Sequence, residues 1–230
     1  ADEVALTVQA RAIASLNAYK ALGFPVDAMP DPVVINIRCD FPFFIPSNSP
    51  GWTESAGTIN LRADFIRGSL FAYLTKSPRP DAAGTGWANL IDHELAHTLQ
   101  VQDTGQVSAA LRLALSGDYA NVEGTATAIE DLIPDTDDLT ATEYQSFLRL
   151  AKEFLQTRPH QIDQVPNDGL SGYRVAAFFE YLGERFGDQS QPDLELRAAA
   201  MLRALYREWH ADGIQRAIGR QESAQSALRD

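Results

Sequence analysis

The sequence predicts an α+β fold in which the strands are confined to the front half of the chain. Two short segments rich in β-branched or alternating apolar residues occur within the first 63 residues, and later apolar residues recur with helical spacing. The chain has 230 residues, of which 45% are hydrophobic and 22% charged, as in globular proteins with a sizeable core. We therefore expect a single domain over residues 1–230, with an α/β lobe at 1–102 and a helical lobe at 103–230.

The front half predicts one helix and then two strands. From residue 4 to residue 22 apolar residues recur every three or four positions, and Gly23 follows where a helix commonly ends. Strands are expected at residues 32–38 and 57–63. Between them, residues 41–51 contain three prolines and an aromatic cluster, which predicts a loop.

The back half predicts helices only. They are expected at residues 119–132, from Thr140, at residues 171–186, and from Pro192 to about Trp209. Thr140 precedes a glutamate by three residues, which is a capping-box spacing, and proline is common in the first turn of a helix.

One short motif in the chain carries metal chemistry. His93, Glu94 and His97 form an H-E-x-x-H sequence inside a helix predicted to begin after Thr85. Residues four apart differ by about 40° around a helix axis, so both imidazoles project from one face and can bind one metal ion. The opposite face is apolar and is expected to enter the core, leaving the histidines towards a cleft; it comprises Trp87, Ile91, Leu95 and Leu99. Two unrelated surface histidines are the simpler alternative.

A catalytic zinc site needs a third protein ligand, and Glu123 is the main candidate. It lies on a second predicted helix with small neighbours, which would let that helix lie close to the first; these are Gly124, Ala126 and Ala128. Glu130 falls on the same face and is a candidate to orient a ligand. Asp103 is an alternative ligand, but the turn that would bring it back uses a glycine where this chain has Gln100.

These two motifs resemble those of the gluzincin metallopeptidases, in particular the branch related to the zinc aminopeptidases. The resemblance rests on H-E-x-x-H followed by E-G-x-A-x-x-x-E, both on predicted helices, and covers about residues 30–187. It implies a zincin-like fold, with a small mixed sheet and the active-site helix in the front half and a helical lobe behind. It also implies Zn²⁺ held by His93, His97 and Glu123, and peptide hydrolysis with Glu94 as general base.

The same resemblance implies a role for Tyr173. Gluzincins of this branch use a tyrosine hydroxyl to stabilise the oxyanion, and residues 172–182 are similar to the segment that carries it. Tyr181 and Tyr119 stay open as alternatives, and an amphipathic tyrosine near a helix start would explain Tyr173 as well.

The chain departs from the aminopeptidases at the strand that binds the substrate's free amine. Their G-x-M-E-N sequence contains a glutamate, whereas residues 56–60 here read Ala-Gly-Thr-Ile-Asn. We therefore expect an endopeptidase acting on peptides or proteins, with this strand still able to pair with an extended substrate. A metal-containing binding protein on a zincin scaffold, without turnover, and an acidic interaction module with an accidental motif stay open as alternatives.

Composition limits the remaining function classes. The net charge of −12 repels phosphate backbones and argues against nucleic-acid binding. No apolar run approaches the roughly 20 residues of a membrane span. Cys39 is the single cysteine, which excludes an internal disulfide, and we expect it to be buried at the end of a strand. The first residue, Ala1, fits a secreted or periplasmic protein after leader removal, and equally a trimmed chain. The oligomeric state is not indicated.

Overall fold

A computed structural model describes residues 2–40, 50–66, 86–102, 119–133, 171–206 and 213–220. Within them the protein is mixed α and β, mostly helical, with a small three-stranded sheet. The helix expected from Thr140, the candidate ligand Asp103 and most of the loop at residues 41–51 lie outside the described residues.

The chain divides into two compact units. The first comprises Ala1–Lys20, Pro25–Arg112 and Ile133–Ser146, and the second comprises Ala21–Phe24, Leu113–Leu132 and Phe147–Asp230. The first unit therefore takes Ile133–Ser146 from the later part of the chain, and the second takes Ala21–Phe24 from the earlier part. The first unit holds the sheet, and the described elements of the second are helical.

The described elements of the first unit follow one another in the order helix, strands, helix. They are α1 (Asp2–Ala21, of which the first unit takes all but the last residue), a short 3-10 helix (Val26–Ala28), β1 (Val34–Arg38), β2 (Gly51–Ser55), β3 (Thr58–Arg62) and α2 (Gly86–Val101). The two predicted strands are thus confirmed as β1 and β3, with ends within two residues of those expected. β2 was not predicted, because it begins at the last residue of the expected loop.

The sheet is mixed and has the strand order β1-β3-β2. β3 pairs parallel with β1, where Ile59 faces Ile35, and antiparallel with β2, where Ile59 faces Thr53. The expectation that the strand at residues 57–63 could pair with a substrate is therefore wrong, because β3 is central and both its edges are occupied. Ile59 and Leu61 of this strand are fully buried and anchor the core of the unit.

Helix α1 packs through a stripe of residues at helical spacing. Val8, Ala12, Ser15 and Tyr19 are buried, whereas Leu6 and Ile13 are exposed. Chain reversal after the helix occurs at Gly23, whose φ of +82° lies in the left-handed region that favours glycine.

Among the described residues of the second unit, three of the helices pack together. They are α3 (Tyr119–Glu130), α4 (Ser171–Phe186) and α5 (Leu194–Leu205). The predicted helix at residues 171–186 is confirmed at both ends. The last helix begins two residues after Pro192, because the side chain of Asp193 caps it by accepting from the Leu196 N–H at 3.1 Å. It also ends earlier than predicted, at Leu205 rather than near Trp209.

Gly124 brings α3 and α4 into close contact. A Cβ added at Gly124 would lie 2.2 Å from Val175 Cγ2 and 3.2 Å from Phe179, both on α4. Within its own unit this glycine therefore makes room for α4, and the expected approach to the H-E-x-x-H helix stays a prediction.

Two further predictions concerned the burial of Cys39 and membrane-spanning helices. Cys39 is exposed just beyond β1, so the prediction of a buried cysteine is wrong. In the described parts of the chain, every helix is too short or too polar to cross a bilayer.

Candidate metal centre

The two histidines of the motif converge on one point. They lie one turn apart on α2, and their Nε2 atoms are 3.0 Å apart, with ring planes crossing at 89°. Two imidazole nitrogens bound to one tetrahedral zinc ion, at about 2.0–2.1 Å each, stand about 3.3 Å apart. The pair thus fits one zinc ion after a shift of a few tenths of an ångström.

Helix α2 is buried on nearly all sides. The apolar face is in the core as predicted, with Trp87, Ile91, Leu95 and Leu99 all buried. The polar face does not open broadly, however: Glu94, His97, Thr98 and Gln100 are also buried, and His93 is half-buried. The expectation that the histidine face lies towards a cleft stays a prediction, and the side chains of that face are themselves largely buried. Buried polar side chains need hydrogen-bond partners, and these partners define the site.

Strand β2 holds the carboxylate of Glu94, which is 4% exposed. The Thr53 hydroxyl oxygen lies 2.8 Å from Glu94 Oε2 and 2.8 Å from the Glu94 carbonyl oxygen. The Thr53 hydroxyl has one proton and can donate to only one of these two oxygens at a time. The Glu94 carbonyl oxygen already accepts from the Thr98 hydroxyl, at 3.0 Å, so Thr53 can donate to the carboxylate. Gly51 closes the other side, because a Cβ there would stand 2.9 Å from Glu94 Oε1.

A second polar contact orients His97. Its Nδ1 lies 2.7 Å from Oε1 of Gln100, one turn further along α2. The amide oxygen of glutamine only accepts hydrogen bonds, so this contact favours the His97 tautomer with the proton on Nδ1.

The residue before the motif anchors the helix. Asp92 is buried and accepts from the guanidinium of Arg11 and the hydroxyl of Ser15, both on α1. The hydroxyl of Tyr19 donates to the Asp92 carbonyl oxygen at 2.8 Å. Burial raises the pKa of Asp92, and the hydrogen bond and charge of Arg11 oppose that rise. This cluster fixes α1 against α2 immediately beside His93.

The other predicted site residues belong to the second unit. Glu123 is half-buried on α3, where its carbonyl oxygen accepts from the Thr127 hydroxyl at 2.9 Å. Glu130 ends the same helix and is also half-buried. Tyr173 falls in the first turn of α4, with its side chain outside the described atoms, and Tyr181, further along, is 55% exposed.

One acidic group in the second unit has a strongly shifted pKa. Burial, together with the charges of Asp131 and Glu184, raises the pKa of Glu180 to about 8. Glu180 lies on α4, on which the candidate Tyr173 also lies.

Several residues beside the motif were not predicted to be functional, among them Thr53, Gln100 and Arg11. For Gln100 a signal existed, since it is a polar residue three positions after a candidate ligand on one helix. For Thr53 and Arg11 there was none, because they meet their partners across 41 and 81 residues.

Comparisons with protein-family models, with curated proteins and with solved structures found no match to this chain. Function is therefore inferred from the site itself.

Proposed function

We propose that the chain is a zinc-dependent peptidase with a zincin-like fold, in which His93, His97 and Glu123 hold the metal ion. The observation that carries the proposal is the 3.0 Å separation of the two Nε2 atoms, which fits one shared cation. Glu123 enters as third ligand on the strength of the E-G-x-A-x-x-x-E motif. Two imidazoles and one carboxylate leave a fourth position for water, as catalytic zinc sites do.

Zinc bound by these residues would supply Lewis-acid activation of water and of a peptide carbonyl. Glu94 acts as general base: its carboxylate takes a proton from the attacking water and passes it to the leaving nitrogen. A binding or structural site has no use for such a base, whereas here the carboxylate is buried and held by Thr53. Tyr173 is assigned to the oxyanion by resemblance to the gluzincins.

The proposed substrate is an internal peptide bond of a peptide or protein. The glutamate that would bind a free amino terminus is replaced by Ile59 in the matching strand, where it is fully buried in the core. A chain of net charge −12 is also a poor ligand for nucleic acid.

The test is cleavage of a broad library of unmodified peptides, read by mass spectrometry, with and without a zinc chelator. Glu94→Gln should retain zinc and lose about 10²- to 10⁴-fold in rate. Glu184→Gln, a matched change at an exposed position of α4, should cleave as the wild type does. Unchanged cleavage by Glu94→Gln would reject the mechanism. Stoichiometric zinc without any cleavage by the wild type would favour the binding protein.

A further inference from the structure

Gln100 is a buried polar residue whose side chain contacts His97 on the metal-binding face of α2. It is 2% exposed, and its Oε1 accepts from His97 Nδ1 at 2.7 Å. A leucine would fill a similar volume without the cost of burying a carboxamide, which is unfavourable unless its hydrogen bonds are made. The hydrogen bond to His97 offsets part of that cost.

This contact decides which nitrogen of His97 is available to a metal ion. A neutral imidazole carries one proton, and the hydrogen bond made by one nitrogen sets the state of the other. With the proton held on Nδ1 by Gln100, the lone pair is on Nε2. That is the atom 3.0 Å from His93 Nε2. An unconstrained histidine in water favours the opposite tautomer, with the proton on Nε2.

We propose that Gln100 is a positioning residue that presets His97 in the metal-binding tautomer and ring orientation. The inference rests on the proposed function in so far as His97 is taken as a zinc ligand. Metal-bound histidines usually donate their second N–H to a carboxylate, a carbonyl or water, and loss of such a partner typically weakens metal affinity about 10- to 100-fold. In this chain a side-chain carboxamide from the same helix fills that place.

The first readout is the tautomer itself, and it requires no metal. Long-range ¹H–¹⁵N spectra of the imidazoles in the full chain, recorded at pH 8.5 to keep them neutral, report which nitrogen is protonated. The His97 signals are identified by their absence in His97→Gln. The wild type should show Nδ1–H at His97, and Gln100→Leu should lose that preference, whereas Gln100→Glu, which keeps an acceptor, should retain it.

The second readout is the zinc dissociation constant, measured by competition with a chelator. Gln100→Leu should bind zinc about 10- to 100-fold more weakly than the wild type, and Gln100→Glu should stay within about threefold. Gln100→Met replaces the leucine variant if that chain does not fold. The inference is overturned if the wild type carries the His97 proton on Nε2, or if the leucine and methionine variants bind zinc as the wild type does.

Failure of the proposed function is distinguishable from failure of the inference. A wild type that binds no zinc rejects the proposed peptidase and the role of Gln100 in metal binding, whatever the tautomer spectrum shows. A wild type that binds zinc, together with variants of unchanged affinity, rejects only the role of Gln100.

Discussion

Removing Arg11 should destabilise the first unit far more than removing an exposed cation from the same helix. The side chains of Arg11 and Asp92 are 9% and 1% exposed, and Arg11 Nε lies 3.1 Å from Asp92 Oδ1. In Arg11→Met the Asp92 carboxyl group stays buried without its counter-charge and keeps the hydroxyl of Ser15 as a partner. Breaking one side of a buried pair costs about 3–5 kcal/mol, so the free energy of unfolding should fall by about that amount.

Lys20→Met is the matched control. Lys20 is on the same helix as Arg11 and forms an ion pair with Asp27 of the following 3-10 helix, but those side chains are 58% and 77% exposed. Exposed pairs contribute about 0–1 kcal/mol. Urea unfolding followed by the fluorescence of Trp52 and Trp87, both in the first unit, compares the two variants. Equal losses would refute the assignment of a buried pair.

Replacing both partners separates the pair from its surroundings. In Arg11→Met with Asp92→Leu neither member of the pair carries a charge, the Ser15 hydroxyl can donate instead to the Arg11 carbonyl oxygen at 2.8 Å, and Tyr19 still binds the main chain of residue 92. Well-packed apolar replacements of buried ion pairs are often neutral. The double variant should therefore recover most of the stability that Arg11→Met loses; a loss equal to the sum of the single changes would contradict this.

Three further changes have defined outcomes. Gly124→Ala should lower the free energy of unfolding by about 1–3 kcal/mol through overpacking, because the new Cβ would meet Val175 Cγ2 at 2.2 Å; Val175→Ala should restore most of it, as measured by urea unfolding. Burial raises the pKa of Glu180 from 4.5 to about 8, so between about pH 4.5 and pH 8 the folded chain keeps a proton that the unfolded chain has lost. The free energy of unfolding of the wild type should therefore fall as the pH rises from about 4.5 to about 8. Glu180→Gln should weaken this pH dependence. Thr53→Val should lower kcat about 10- to 100-fold with zinc content unchanged, because a hydrogen bond to a charged group such as Glu94 contributes about 1.5–3 kcal/mol.

Each of these changes has a control. Gly219→Ala adds a Cβ that meets no other described part of the chain within 4 Å, apart from its own helix, so it should not destabilise; a loss as large as that of Gly124→Ala would show that overpacking is not the cause. Thr53→Ser keeps the hydroxyl and should keep kcat within about threefold, and activity as low as that of Thr53→Val would remove Thr53 from the site. A pH dependence of stability that persists in Glu180→Gln would assign it to other groups.

Helices were predictable from local periodicity, whereas one strand was not. Residues 171–186 carry a full apolar stripe ended by Gly187, and the helix has those bounds. β2 has a single large apolar residue, Trp52, and follows a proline-rich segment, so no alternation marks it. It is a strand because β3 supplies its hydrogen bonds, and pairing between segments leaves little trace in either sequence.

In the candidate site, too, the features set by local spacing were predictable and those set by tertiary contacts were not. The convergence of His93 and His97 follows from their spacing on one helix. The partners of Glu94 and Asp92, in contrast, come from β2 and α1, and no local pattern relates Thr53 or Arg11 to the residues they contact. Those contacts are products of tertiary packing, which also buries the polar face of α2.

Zinc binding by the full chain tests the central claim most directly. Elemental analysis and chelator competition should give one zinc ion per chain, with affinity lowered more than about 100-fold in His93→Gln, His97→Gln and Glu123→Gln. The matched change at the exposed Glu195 should leave the affinity as it is. Absence of stoichiometric zinc in the wild type, or wild-type affinity in the Glu123 variant, would contradict a metal ion held by these three residues.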